Sequence, residues 1–404
     1  MKGLKSTFKK VWKLIVLYLL IIITFSYAMF QGGFVSWFLF YSFLPFAIYA
    51  LILSLYSLNQ FEATRVFQKH EYNAGETLKV EIRLKRRTSF PLFYLLIEDC
   101  LSDQLRYAQE RNRAKSFLFP WFKKEMVLEF EIHGLLRGEH HFPTIRLKTG
   151  DPLGLIEKEI HFQTNQKIMV YPAYEDLIYR PFDNHYDQGM TASKERVQRD
   201  TSMAIGIREY QPGDRFSWIN WKATAKRNDI MTKEFEQRQS HDVFILMDCA
   251  PSSSFEAIVS FSASLARAIL QKGAQVGFLS SSAERISIPI RGGEKQMMQL
   301  FYHLAKVRDN SPVSIDRVLE AEGFQLQKNT LMLITSQLTR NVIEKAGLLI
   351  SKSGTVTIFI IKNEMESLSQ NELSLKSAAN ARGVRVVLVH NGNFKAVFSE
   401  VARA

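Results

Sequence analysis

The chain has 404 residues, 46% of them hydrophobic and 23% charged, which exceeds one ordinary domain and permits two or three folded units. Its net charge of +12 owes five charges to Lys2, Lys5, Lys9, Lys10 and Lys13, so the remainder is too mildly basic to argue for nucleic acid. Cys100 and Cys249 stand far apart and exclude a disulfide framework, which fits a reducing compartment.

Residues 1–61 are predicted to form a basic N-terminus and a transmembrane hairpin. From Leu14 to Phe61 there is no Asp, Glu, Lys or Arg, and two spans of about 20 residues each fit in that stretch. Gln31-Gly32-Gly33 divides it into spans 14–30 and 34–58, with Pro45 kinking the second and Trp12 and Trp37 placed for the lipid–water interfaces. A signal peptide would need a small-residue cleavage site before the second apolar run, and none stands there. The lysine-rich start puts the N-terminus in the cytoplasm, and a two-pass hairpin returns the chain to that side. Both termini are therefore expected in the cytoplasm, below the inner membrane.

Residues 62–172 change to period two and predict an antiparallel β-sandwich. Leu78, Val80, Ile82 and Leu84 alternate with Lys79, Glu81, Arg83 and Lys85, and Met126, Leu128, Phe130 and Ile132 repeat the pattern. Turns at Asn73-Ala74-Gly75, Gly134 and residues 150–154 separate the strands. The adjacent His140 and His141 would face opposite sides of a strand and could not share a metal. Residues 173–206, polar and aperiodic, are expected to be a linker.

Residues 207–240 hold the densest group of special residue types. Pro212 and Gly213 suit the middle of a type II turn. Asp214 is placed to cap a short helix whose inner face would be Trp218, Trp221 and Ala225, and residues 230–236 are expected to return as a strand. Arg208, Glu209, Tyr210, Pro212, Gly213, Asp214, Ile219, Trp221, Lys222, Ala223 and Ala225 resemble, in order, the signature of the bacterial family called domain of unknown function 58. The two tryptophans are expected in a core. Arg208, Glu209, Tyr210, Gly213, Asp214, Trp221 and Lys222 are the candidate docking residues, with buried ion pairing of the charged ones as the alternative.

Residues 241–404 alternate strands and helices, which predicts a mostly parallel sheet with helices on both faces. The order resembles a von Willebrand factor A-like domain, of Rossmann type, which the family is considered to contain. Such a domain often holds Mg²⁺ through Asp-x-Ser-x-Ser after its first strand, because a carboxylate and two hydroxyls are hard oxygen ligands. Here the match is Asp248-Cys249-Ala250-Pro251-Ser252, which lacks the middle hydroxyl. No Thr stands near Arg291-Gly292-Gly293, and Ser336 and Gln337 occupy the place of the later Asp. A degenerate site at Asp248 and Ser252 that holds no metal is expected, and no cofactor. Phosphate-loop spacing, HExxH, paired Cys-x-x-Cys and Gly-x-Ser-x-Gly are all missing from the sequence.

The family occurs beside MoxR-type AAA+ ATPases and transglutaminase-like membrane proteins. The resemblance therefore implies a membrane-anchored, non-enzymatic cytoplasmic adaptor that acts with a MoxR-type ATPase in assembly or maturation of other proteins. Its rivals are a metal-dependent enzyme using Asp248, Asp214 or Glu209, and an electrostatic binder of nucleic acid or anionic lipid using Arg208, Arg215, Lys222, Lys226 and Arg227.

Overall fold

The structure, a computed structural model, describes residues 2–101, 115–179, 197–211, 214–227, 229–239, 242–323, 330–350, 355–363 and 366–400, with side chains for all of these except 2–11, 197–205, 234–239 and 399–400. The chain divides into two compact units, Met1–Ala173 and Tyr174–Ala404.

The first unit begins with two apolar helices, α1 (Lys2–Gln31) and α2 (Phe34–Leu55). Gly32 takes φ 63° and its N–H reaches the Ala28 carbonyl at 3.2 Å, so the chain leaves α1 through the left-handed turn that glycine adopts without a Cβ penalty. Trp12–Gln31 and Phe34–Leu55 have mean hydropathies of 2.2 and 2.1, yet only 11% and 17% of those stretches is buried. Leu17, Ala28, Ser36, Ala47, Ala50 and Leu53 are the buried exceptions, and small residues let two helices approach closely. The second helix ends at Leu55, three residues before the expected limit of its span. A short 3₁₀ turn at Leu58–Gln60, whose Asn59 N–H donates to Ser57 Oγ at 3.3 Å, leads into the sheets.

Those sheets comprise β1 (Phe61–Phe67), β2 (Glu71–Asn73), β3 (Leu78–Arg86), β4 (Leu95–Cys100), β5 (Lys115–Leu118), β6 (Glu125–Ile132), β7 (Gly138–Gly150) and β8 (Glu157–Tyr171). One sheet runs β1-β3-β6, wholly antiparallel, and the other β2-β8-β7-β4-β5, in which β2 alone pairs parallel. The alternation of β3 sends Leu78, Val80, Ile82 and Leu84 inward and leaves Lys79, Arg83 and Lys85 exposed. Both sheets feed one apolar cluster that includes Ile82, Ile97, Phe142 and Leu147. A buried ion pair ties the two sheets across it. Arg65 on β1 donates from Nε to Asp99 Oδ2 on β4 at 2.9 Å, and from Nη1 to the Phe142 carbonyl at 3.0 Å and Thr164 Oγ1 at 2.8 Å. His140 is buried and His141 exposed, on opposite faces of β7.

The helix ends are fastened to this unit. Lys158 Nζ donates to the Ser54 and Tyr56 carbonyls at 2.6 and 2.5 Å, satisfying acceptors that the end of α2 leaves open. Lys13 reaches the Gly154 carbonyl at 3.4 Å and lies 3.7 Å from Glu157.

In the second unit the segment expected to be a linker is partly built structure. Leu177 and Tyr179 are buried in its core, the Arg267 guanidinium lies 4.3 Å from the Tyr174 ring centroid, and the Glu175 N–H reaches Ser264 Oγ at 2.9 Å. From Val197 the chain is strand: β9 (Val197–Glu209) pairs antiparallel with β10 (Met231–Gln239). A two-stranded ribbon has no face that must be apolar, so its sequence shows no alternation.

A six-stranded sheet follows, made of β11 (Val243–Met247), β12 (Val276–Ser280), β13 (Ser287–Arg291), β14 (Thr330–Thr335), β15 (Val356–Lys362) and β16 (Arg385–His390). Its order is β13-β12-β11-β14-β15-β16, and β13 alone is antiparallel. Val243, Ile245 and Met247 enter one apolar cluster with helices Phe255–Gln271 and Glu294–Lys306, while Phe244 and Leu246 enter another with helices Ile315–Ala321 and Arg340–Ile350. A strand buried on both faces reads as a continuous apolar run, as β11 does.

Candidate functional site

Strand β11 lies between β12 and β14, so the chain order reverses around it, and in open α/β sheets that is the place where a ligand crevice lies beyond the carboxyl ends of the strands. Asp248 stands there, 7% exposed. Its Oδ2 accepts from Thr335 Oγ1 at 2.8 Å, and its Oδ1 accepts from the Ala250 N–H at 3.0 Å and lies 3.5 Å from Ser281 Oγ. One carboxylate thus joins the ends of β11, β12 and β14. Ser252 turns its hydroxyl to the Ser254 N–H at 3.1 Å, a local bond that starts the following helix. A hard divalent cation asks for six or more oxygens, and among the described residues no group of three His, Cys, Asp or Glu side chains is placed to hold a metal. Next to Asp248 the buried Cys249 thiol is pushed up to about 12, first by burial and then by the neighbouring carboxylate.

The structure also joins two residues that the sequence reading kept apart. His303 Nε2 lies 2.9 Å from Ser280 Oγ. Ser280 is fully buried and His303 nearly so, which keeps a substrate from the hydroxyl. His303 carried no signal of its own in the sequence, and nothing there pointed it at the end of β12.

The signature run is the insert between β9 and β10. The Tyr210 N–H reaches the Ile230 carbonyl at 2.8 Å and closes the insert at its base. Asp214 does not cap a helix, contrary to expectation. It accepts from Arg208 Nη2 at 2.7 Å and from the Gln211 N–H at 3.0 Å, which folds the turn back on the strand. Pro212 and Gly213, and with them the expected turn type, lie outside the described residues. A 3₁₀ turn at Phe216–Trp218 then breaks at Ile219, which bridges to Thr232. Asn220 caps the helix Trp221–Arg227 through its side-chain oxygen and the Ala223 N–H, at 3.2 Å.

The break at Ile219 reverses the expected packing. Ile219, Met231 and Thr232 are the buried residues, whereas Trp221 is 69% exposed and Ala225 faces solvent. Trp218 is half-buried, with the Arg215 guanidinium 5.5 Å from its ring centroid. Phe216 is 78% exposed, its ring stacked 6.4 Å from that of Tyr210. Lys222, Lys226, Arg227 and Glu209 are exposed, while Arg208 is committed to Asp214. Among the described residues the insert presents an exposed aromatic and cationic face.

The family described as "Protein of unknown function DUF58" matches residues 206–404, beginning beside Ile207. The "Uncharacterized protein YeaD" of Bacillus subtilis (strain 168) is 39% identical over 389 residues, which cover 96% of this chain and 97% of that protein. Among solved structures, the SpRpn10 VWA domain is similar at 10% identity and a TM-score of 0.30, covering 40% of this chain and 93% of that one. A CARDB domain from Pyrococcus furiosus, solved with di-metal ions, is similar at 11% identity and a TM-score of 0.17, covering 27% of this chain and 86% of that one. With a relative of this identity along nearly its whole length and the signature at the head of the matched region, the chain belongs to the DUF58 family.

Proposed function

We propose that the chain is a membrane-anchored cytoplasmic adaptor that docks a MoxR-type AAA+ ATPase through its signature insert and works with it in assembly or maturation of other proteins. Exposure of Trp221 and Phe216 beside Arg215, Lys222, Lys226 and Arg227 carries this proposal. Solvent-facing aromatics among cations are the residue types that dominate interface hot spots, and the cations favour a partner with an acidic rim. The exposed stretches 14–31 of α1 and 34–55 of α2, which hold no Asp, Glu, Lys or Arg, support an inner-membrane anchor, and the lysines before them support termini in the cytoplasm. The paired sheets of the first unit support a β-sandwich. The β13-β12-β11-β14-β15-β16 order supports a von Willebrand factor A-like, Rossmann-type domain in the second. A transglutaminase-like membrane protein is proposed as a further companion on the family resemblance alone. An adaptor role accords with the hydrogen bonds on Asp248 and with the pairing of Asp214 to Arg208.

The test is a titration of the full-length protein, held in nanodiscs, with the purified MoxR-type ATPase. Trp221→Ala is expected to weaken binding by about tenfold or more, roughly 1.4 kcal/mol, with the melting temperature unchanged because the indole is exposed. Undiminished binding would exclude the insert as the docking face. A large drop in melting temperature would instead return the indole to a structural role.

A further inference from the structure

The first unit carries a second exposed aromatic face, distant in sequence from the signature. Phe117 is 63% exposed, Phe119 68%, Trp121 52% and Phe122 63%, and the next two residues are the exposed Lys123 and Lys124. Phe117 lies on β5, the edge strand of its sheet. Large apolar groups in such a row are unusual on a surface that meets only water.

The loop that bears them is held firmly. Trp121 takes φ 45°, a left-handed conformation that a bulky residue rarely adopts. Its backbone exchanges two hydrogen bonds with Leu92, each 3.2 Å. Arg86, 2% exposed, donates from Nε to the Lys123 carbonyl, from Nη1 to the Phe90 carbonyl and from Nη2 to the Trp121 carbonyl, each at 2.6 Å. A buried guanidinium thus staples the aromatic loop to the segment around Phe90. Strain over-determined in this way points to a function for what is displayed.

That segment touches α2. The Phe93 ring lies 5.6 Å from the Trp121 ring and 4.8 Å from the ring of Tyr49, whose other neighbour is Phe90 at 5.8 Å. Tyr49 is six residues before Leu55, about 9 Å along a helix, and fifteen residues, about 22 Å, from Phe34. A bilayer's hydrocarbon core is about 30 Å thick. If Phe34 sits at the far boundary, Tyr49 lies about 8 Å short of the near one, and the aromatic loop meets it through Phe93.

We propose that residues 117–124 form a lipid-interface wedge, in which Phe117, Phe119, Trp121 and Phe122 enter the headgroup boundary of the leaflet and Lys123 and Lys124 engage anionic headgroups. The proposal rests on α1 and α2 being a membrane anchor. Aromatic side chains favour that boundary, and lysines beside it are drawn to anionic lipid. The wedge gives the first unit a fixed seat on the membrane rather than free rotation above it.

The test uses full-length protein labelled with 5-fluorotryptophan, in nanodiscs containing a lipid spin-labelled near the headgroup. Fluorine spectra resolve the five tryptophans, and Trp37→Phe, Trp121→Phe and Trp221→Phe, made singly, assign the three that are read. The Trp121 resonance is expected to broaden at least twofold, as Trp37 does, while Trp221 stays sharp. Replacing anionic by neutral lipid, or making Lys123→Glu with Lys124→Glu, is expected to halve the effect on Trp121 and leave Trp37 unchanged. A sharp Trp121 beside a broadened Trp37 keeps the anchor and overturns the wedge, giving the aromatic face to a protein partner. A sharp Trp37 overturns the anchor and the wedge with it. Broadening of Trp121 that ignores headgroup charge overturns the part assigned to the lysines.

Discussion

Cys249 stands beside Asp248 in a fully buried position, and its thiol is pushed up to about 12, burial being the larger cause. At pH 8 its reactive thiolate is then about one part in ten thousand. Maleimide at pH 8, followed by mass spectrometry, should therefore label the half-buried Cys100 and leave Cys249 untouched until denaturant is added. Labelling of both at similar rates in the folded protein would mean that the crevice is open to reagents. Trp221 teaches a different lesson at this scale. Spacings of three and four from Trp218 to Ala225 describe one helix face, but they neither exclude a break at Ile219 nor say which face meets a core. Asp214 and Arg208 were both legible as special residues, with ion pairing among the charged ones as the alternative reading, but which of them pair was not, because Asp214 meets Arg208 and the Gln211 N–H only once the insert has closed.

Where an element has one dry and one wet face, its pattern was readable. β3 and β6 lie within a residue of the strands expected from alternating Leu78 to Leu84 and Met126 to Ile132. Residues 207–209 of β9 were expected to be extended, but 197–206 were missed because a two-stranded ribbon imposes no such pattern, and the edge strand β13 and the seven-residue helix Ile315–Ala321 are too short to show one. No periodicity could reveal that β1 and β4 are joined by Arg65 and Asp99, 34 positions apart. Asp99→Ala would leave that guanidinium buried without its carboxylate, and denaturant unfolding is expected to show a loss of about 3–5 kcal/mol. Replacing both by apolar residues of similar volume, as in Arg65→Met with Asp99→Leu, should recover most of it. Failure of that recovery would show that the bonds from Arg65 to the Phe142 carbonyl and Thr164 matter more than the charge pair.

At the scale of the molecule, a charge-free stretch of sequence translated directly into two helices because nothing but length and apolarity is needed to specify them. The sidedness proposed for that hairpin rests on Lys2, Lys5, Lys9, Lys10 and Lys13. Reporter fusions after Asn59 and after Ala404 should both give cytoplasmic signals, and a periplasmic signal from either would remove the adaptor from the compartment of its proposed partner. Only five residues, 56–60, separate α2 from β1, and Lys158 holds two carbonyls at that junction. Mechanically, this is a stiff joint with no slack to absorb a pull. A force applied to β8 would pass through Lys158 to the end of α2 rather than be lost in a loose linker.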